Sequence, residues 1–201
     1  MVLTILIAGI RPERVFDFGL ENVCVTACLL ALFASYRKLP LSDFSYVLIL
    51  GYLILHEYGA HYKYSDVPMG EWMKPWLHSQ RNSYDRVVHF SFGLLLSYPF
   101  QEVFIRAVRV TGPWRYYLPV ETTLCFSAVY EMLEAGAASI LSPERGEEFV
   151  GMQGDIWDSQ EDMLMATLGA IVTMMILYWW RKRRSAHLAV EAAERVTIGS
   201  K

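Results

Sequence analysis

The sequence predicts an all-α protein, a polytopic transmembrane helical bundle with five or six spans. Three observations carry this expectation. The 201 residues are 54% hydrophobic and only 19% charged, against about 25% charged in a typical soluble domain; mean hydropathy is +0.24. Runs at 22–36, 44–56, 87–101, 122–130 and 163–180 contain no Asp, Glu, Lys or Arg. The last run ends in Trp179-Trp180 and is followed at once by Arg181-Lys182-Arg183-Arg184, the aromatic-then-basic order of a span leaving the bilayer.

Several runs are shorter than the ~20 residues that cross a bilayer. Flanking Tyr, Trp, Arg and Lys extend them to the interface. Six segments result, at 1–10, 20–36, 43–58, 86–105, 117–141 and 161–180. The first is apolar but short, and it lacks the basic start of a cleaved signal peptide. Residues 1–184 form one integral membrane domain, and 185–201 form a short polar cytosolic tail. Loops on one side carry Arg37 and Lys38, then Arg106, Arg109 and Arg115, then the RKRR cluster. The positive-inside rule places that side, and the C-terminus, in the cytoplasm.

Composition also excludes partners. A net charge of −3 gives no basic surface for nucleic acid. Membrane lipids are the expected surroundings; protein partners are not legible. Cys24, Cys28 and Cys125 match no metal spacing. Small buried apolar packing is their expected role.

The third segment ends, on the outer side, in LHEYGAHYKY, residues 55–64. It resembles the zinc-protease signature H-E-x-x-H with one residue too many. His56 and His61 stand at i and i+5, roughly 140° apart on a regular helix, so they cannot share a metal. The loop that follows, YKYSDVPMGEWMKPWLHSQ, places Trp72, Met73, Trp76 and Leu77 at helical spacing after Pro68. It reads as a short interfacial helix on the outer leaflet.

Three further stretches carry chemistry. In RNSYDRVVHF, residues 81–90, Arg81, Asp85 and His89 stand at i, i+4 and i+8. Asp85 would accept from Arg81 and orient His89. In YEMLE, residues 130–134, Glu131 and Glu134 share a face and require a proton, a cation or an arginine. In GDIWDSQED, residues 154–162, Asp155, Asp158 and Asp162 form an acidic stripe after Gly154. Helix-capping explains Asp155 well and Asp162 poorly. All these stretches fall at the outer ends of segments, and ionisable groups in a membrane mark functional sites.

The motifs HEYGAHYKYSDVP, RNSYDRVVHFSFG, YEMLEAG and GDIWDSQEDMLMATLGA resemble those of the YjdF-like (DUF2238-type) bacterial inner-membrane proteins. The likeness covers roughly residues 10–180, with Ala135 where that family pattern has an aromatic. It implies a membrane protein and supplies no substrate. A weaker likeness links Asp85, Arg86, His89, Phe90, Glu131, Asp158 and Asp162 to VanZ-like proteins, which carry Asn at the last of these positions.

The residues support three functions. One is a metal-dependent membrane hydrolase acting on a lipid or envelope substrate. Its catalytic residues would be His89 and Glu131, with Asp85 and Arg81, and a divalent metal would be its cofactor. Its ligands would come from His61, Glu134, Asp155, Asp158 and Asp162. The others are a proton- or cation-binding or transport protein, and a structural protein whose polar residues tie helices together.

Overall fold

The apolar runs fold as helices, and each helix extends past its run into the polar residues that flank it. The computed structural model describes residues 1–199, which contain helices and no strand. Five helices are long: α2 (Val15–Ser35), α3 (Asp43–Tyr62), α5 (Tyr84–Ala107), α6 (Trp114–Ser139) and α8 (Asp158–Gly199). Three are short: α1 (Val2–Ala8), α4 (Pro68–Leu77) and α7 (Pro143–Val150). A 3₁₀ turn, Tyr64–Asp66, joins α3 to α4. α8 continues unbroken through the RKRR cluster to Gly199.

Contacts between distant residues fix the helix directions. Ser42, before α3, donates to Glu102 near the end of α5, at 2.8 and 2.9 Å. Tyr84, at the start of α5, donates to Leu55 O of α3 at 2.7 Å. So α3 and α5 are antiparallel. Gln101 of α5 donates to Arg115 O at 2.7 Å, while His89 meets Ser127, so α6 is also antiparallel to α5. α8 runs parallel to α5: Arg86 reaches Asp158 and Asp162, and Thr173 donates to Leu94 O. The result is an up-and-down bundle around α5, which packs against α3, α6 and α8.

The interior is inverted relative to a soluble protein. Buried polar and charged residues, among them Glu21, Asn22, His56, Glu57, His89, Gln101, Glu102, Glu131, Asp158 and Asp162, outnumber the buried apolar ones. Val23, Leu30, Phe33, Val47, Ile54, Phe126, Met132, Leu164 and Ile176 face outward. Such a surface is stable against hydrocarbon and costly against water. On length and composition, α2 and the Asp158–Leu188 part of α8 qualify as membrane spans. α3, α5 and α6 are not among the helices that meet that measure. α1 has seven residues, about 10 Å of helix, too little to cross a ~30 Å hydrocarbon core.

The cysteines differ from the buried role expected. Cys28 and Cys125 are exposed, Cys24 is half-buried, and all three are free. They occupy the outward face of α2 and α6, where a small apolar side chain meets the same surroundings as Leu or Phe.

One seam fixes the bundle. A Cβ on Gly93 of α5 would overlap the Ala166 carbonyl of α8, and one on Gly169 would overlap the Phe90 carbonyl. The two backbones touch at this crossing, as small residues allow in membrane helices.

Candidate functional site

The start of α2, the end of α3, the start of α5, the end of α6 and the start of α8 lie at one end of the bundle. Each brings polar residues to that end, and two layers form.

The outer layer is an arginine clamp. Arg81 precedes α5 and so does not share a helix face with Asp85 and His89. Its Nη1 donates to Met152 O at 3.2 Å and to Asp155 at 3.4 Å, and its Nη2 pairs with Asp158. Arg86, in the first turn of α5, pairs through Nη1 with Asp158 at 2.8 Å and Asp162 at 2.5 Å. Its Nη2 reaches Asp155 at 3.3 Å and Glu161 at 2.9 Å. Gly154, at φ 86°, lets the chain turn into α8 so that these carboxylates face α5. Asp155 lies in that turn, where it also accepts from Trp157 N at 2.9 Å. Asp158 opens α8 itself.

The inner layer centres on His89. Its Nε2 lies 3.5 Å from Asp85 and 3.4 Å from Glu131. Its Nδ1 faces Ser127 Oγ at 3.4 Å. Donor atoms of Asp85, His89 and Asp162 all lie within 4.8 Å of one another. Asp162 is only 2% exposed, and its Oδ1 has no partner. Glu131 Oε1, also buried, has no hydrogen bond. Glu134, one turn further along α6, neighbours Glu21, Glu131, Asp85 and Asp162.

Charge decides what this arrangement needs. The clamp sets two guanidiniums against four carboxylates. Among the described residues, Asp85, Glu131, Glu134 and Glu21 make no direct ion pair with Arg or Lys; facing them are His89, Ser127 and Tyr130, whose hydroxyl donates to Glu21. Buried negative charge in such excess requires bound protons or a cation. The donor set (carboxylate oxygens and one imidazole) suits a divalent ion.

Beside this centre, α2 and α3 make a second polar contact. His56 accepts or donates at Nδ1 against Tyr64 OH, 2.6 Å away. Both oxygens of Glu57 and Asn22 Oδ1 are buried without partners. His61 lies elsewhere: its Nδ1 contacts Ala8 O at 2.7 Å, tying α1 to the end of α3. α3 is unbroken through Gly59, so His56 and His61 stay on different sides of one helix. Arg145 of α7 reaches Asp17 at 3.4 Å.

Thus Asp85, His89, Glu131 and Asp162 come together. Asp155 and Asp158 face the arginines, Glu134 borders the centre, and His61 has no contact with it among the described residues. Arg86 carries more ion pairs than Arg81, yet spacing gave Arg81 the role. Its partners lie about 70 residues away, and only the parallel packing of α5 on α8 brings them near. Glu21 was legible as the charge that opens the first long apolar run, but nothing local links it to Tyr130.

The described interfacial helix is α4, with Pro68 at its first position. Trp72 is 75% and Trp76 85% exposed. Asn82 docks it, donating to Val67 O and Glu71, both at 3.0 Å. Lys74 also holds Glu71, at 2.7 Å. Lys74 first, and Asn82 next, keep the Glu71 carboxyl below its ordinary value.

The chain matches a family model described as "Predicted membrane protein (DUF2238)" over residues 1–183. It is 33% identical over 178 residues to the inner membrane protein YjdF of Escherichia coli K12, covering 88% of this chain and 85% of that protein. No solved structure matches it.

Proposed function

The chain belongs to the DUF2238 family of membrane proteins; on that premise we propose a five-span bacterial inner-membrane protein with a cytoplasmic C-terminus and a divalent-metal centre at its outer end. The metal would be held by Asp85, His89 and Asp162, with Glu131 as fourth neighbour. The chemistry it supports best is hydrolysis of a lipid or envelope substrate.

One observation carries this reading. His89 Nε2 stands 3.4 and 3.5 Å from two carboxylates. Tetrahedral ligands bonded at ~2.0–2.2 Å lie about 3.3–3.6 Å apart. These two spacings are longer than direct hydrogen bonds and suit ligands around an ion, and the donor atom of Asp162 lies within 4.8 Å of those of Asp85 and His89. The unpartnered Asp162 Oδ1 and Glu131 Oε1 supply free acceptors. Ser127 at Nδ1 fixes the imidazole through its other nitrogen, as ligating histidines require.

A bound divalent ion supplies Lewis acidity toward a carbonyl or phosphoryl group and toward water. The protein's own groups do the rest. Glu131 sits where it can hold a proton. Arg81 keeps a buried Nε without a partner, a donor for an anionic substrate group. Asp155 and Glu161 are partly exposed at the rim of the clamp.

The closed seam favours hydrolysis over transport. Gly93 against Ala166, and Gly169 against Phe90, leave no gap between α5 and α8 below the centre. A carrier requires a polar path onward to the Gln101 and Glu102 end.

The test is metal content of chelator-free, detergent-purified protein by mass spectrometry. One ion per chain is expected in wild type and in Glu102→Gln, with loss in His89→Ala and Asp162→Asn. A folded wild type without metal removes the centre and leaves a proton-holding or structural role.

A further inference from the structure

At the opposite end of the bundle, two arginines stand without an anion. Arg115 opens α6, and Arg181 follows the apolar run of α8. Gln101 of α5 holds both, donating to Arg115 O at 2.7 Å and accepting from Arg181 at 2.8 Å. Arg181 also sits 5.8 Å over the Tyr116 ring. Arg115 Nε and Arg181 Nη1 are buried and have no partner. No carboxylate pairs with either among the described residues. Arg106 nearby shows the contrast: Glu102 meets it at 2.7 Å.

Guanidinium donors shielded from water and left unpaired are costly, and a phosphate satisfies them in a forked geometry. Beside Arg115, a groove of about 620 Å³ opens between α6 and α8. Its walls are apolar: Val120, Ile171, Met174, Met175 and Tyr178. Ligand sites commonly hold ~300–1,000 Å³. An apolar channel ending at Arg115, with Arg181 over the Tyr116 ring of its wall, complements a molecule with an acyl chain and an anionic head. In a membrane protein, such molecules are the surrounding solvent.

We infer that this groove binds an anionic glycerophospholipid. Arg115 and Arg181 hold its phosphodiester, and one acyl chain lies along Ile171 and Met175. Basic pockets between spans on the cytoplasmic side are suited to such headgroups. The inference is independent of the metal centre.

Native mass spectrometry of delipidated full-length protein tests it, with phosphatidylglycerol and phosphatidylcholine of identical chains added separately. Wild type is expected to bind phosphatidylglycerol about tenfold more tightly. The Arg115→Gln/Arg181→Gln variant should lose that preference. Arg183→Gln, on the exposed flank of α8, should keep it. Ile171→Trp, which fills the groove, should weaken phosphatidylglycerol binding with both arginines intact. Equal affinity of wild type for the two lipids overturns the site. So does an equal loss in Arg183→Gln, or displacement of the lipid by inorganic phosphate alone. If the double arginine variant fails to fold, the wild-type lipid comparison and Ile171→Trp decide the matter.

Discussion

Arg86 holds together the end of the bundle where the acidic residues meet. It faces Asp155, Asp158, Glu161 and Asp162 at once, and two of these, Asp158 and Asp162, are buried. Removing the cation leaves Asp162 without an arginine, and Asp158 with Arg81 alone. Arg86→Gln is therefore expected to cost about 3–5 kcal/mol, read as thermal unfolding in detergent. Asp162→Asn in the same chain should restore part of the loss, because it removes the stranded charge. If Arg86→Gln melts like wild type, the clamp is not what joins α5 to α8. At this scale the sequence was half legible. Residue types and local spacings were visible, so Asp85 next to His89 could be read from i and i+4. Pairings such as Arg86 with Asp162, or Tyr130 with Glu21, depend on helix packing and leave no local signal.

Two elements position the chemistry. The α5–α8 seam depends on Gly93 and Gly169, whose missing Cβ atoms let the backbones touch. Gly93→Val should separate the helices and cost about 1–3 kcal/mol or more. Gly136→Ala, with nothing within 4 Å of the added Cβ, should be neutral or slightly stabilising. The comparison is read by thermal unfolding, and equal effects would show that the close approach contributes nothing.

α4 makes a pH-dependent prediction. Lys74 and Asn82 hold Glu71 below its ordinary value of 4.5. Its folded value is depressed, so its contribution is present above the unfolded value and is lost as pH falls through the folded one. Trp72 and Trp76 fluorescence should therefore report α4 loosening below about pH 4.5, and Glu71→Gln should remove that transition. A transition unchanged in Glu71→Gln would assign it to another group. The short helix was legible from Pro68 and its tryptophans. Its docking through Asn82 was not, because Asn82 reads only as a loop residue.

For the whole molecule, hydropathy carried the all-helical reading, while of the five or six spans expected two helices meet the length and composition of a span. The segments 43–58 and 86–105 fall inside α3 and α5, 117–141 runs two residues past the end of α6, and charged flanks explain the extra turns. The inverted interior was foreshadowed by ionisable residues inside apolar runs. Which of them would meet was not, since that requires five helix ends at one level. The topology itself is testable: a fluorescent-protein fusion after residue 201 should be bright in bacteria, while a cysteine at Glu144 should react with an impermeant thiol reagent from outside. The reverse pattern would invert the orientation.

The proposed metal centre is tested most directly by X-ray absorption on protein loaded with one equivalent of Zn²⁺ or Co²⁺. The arrangement of Asp85, His89, Glu131 and Asp162 leads to a shell of one imidazole nitrogen with carboxylate oxygens at about 2.0–2.2 Å, becoming all-oxygen or empty in His89→Ala. A shell with two imidazoles, or one unchanged in His89→Ala, would contradict it.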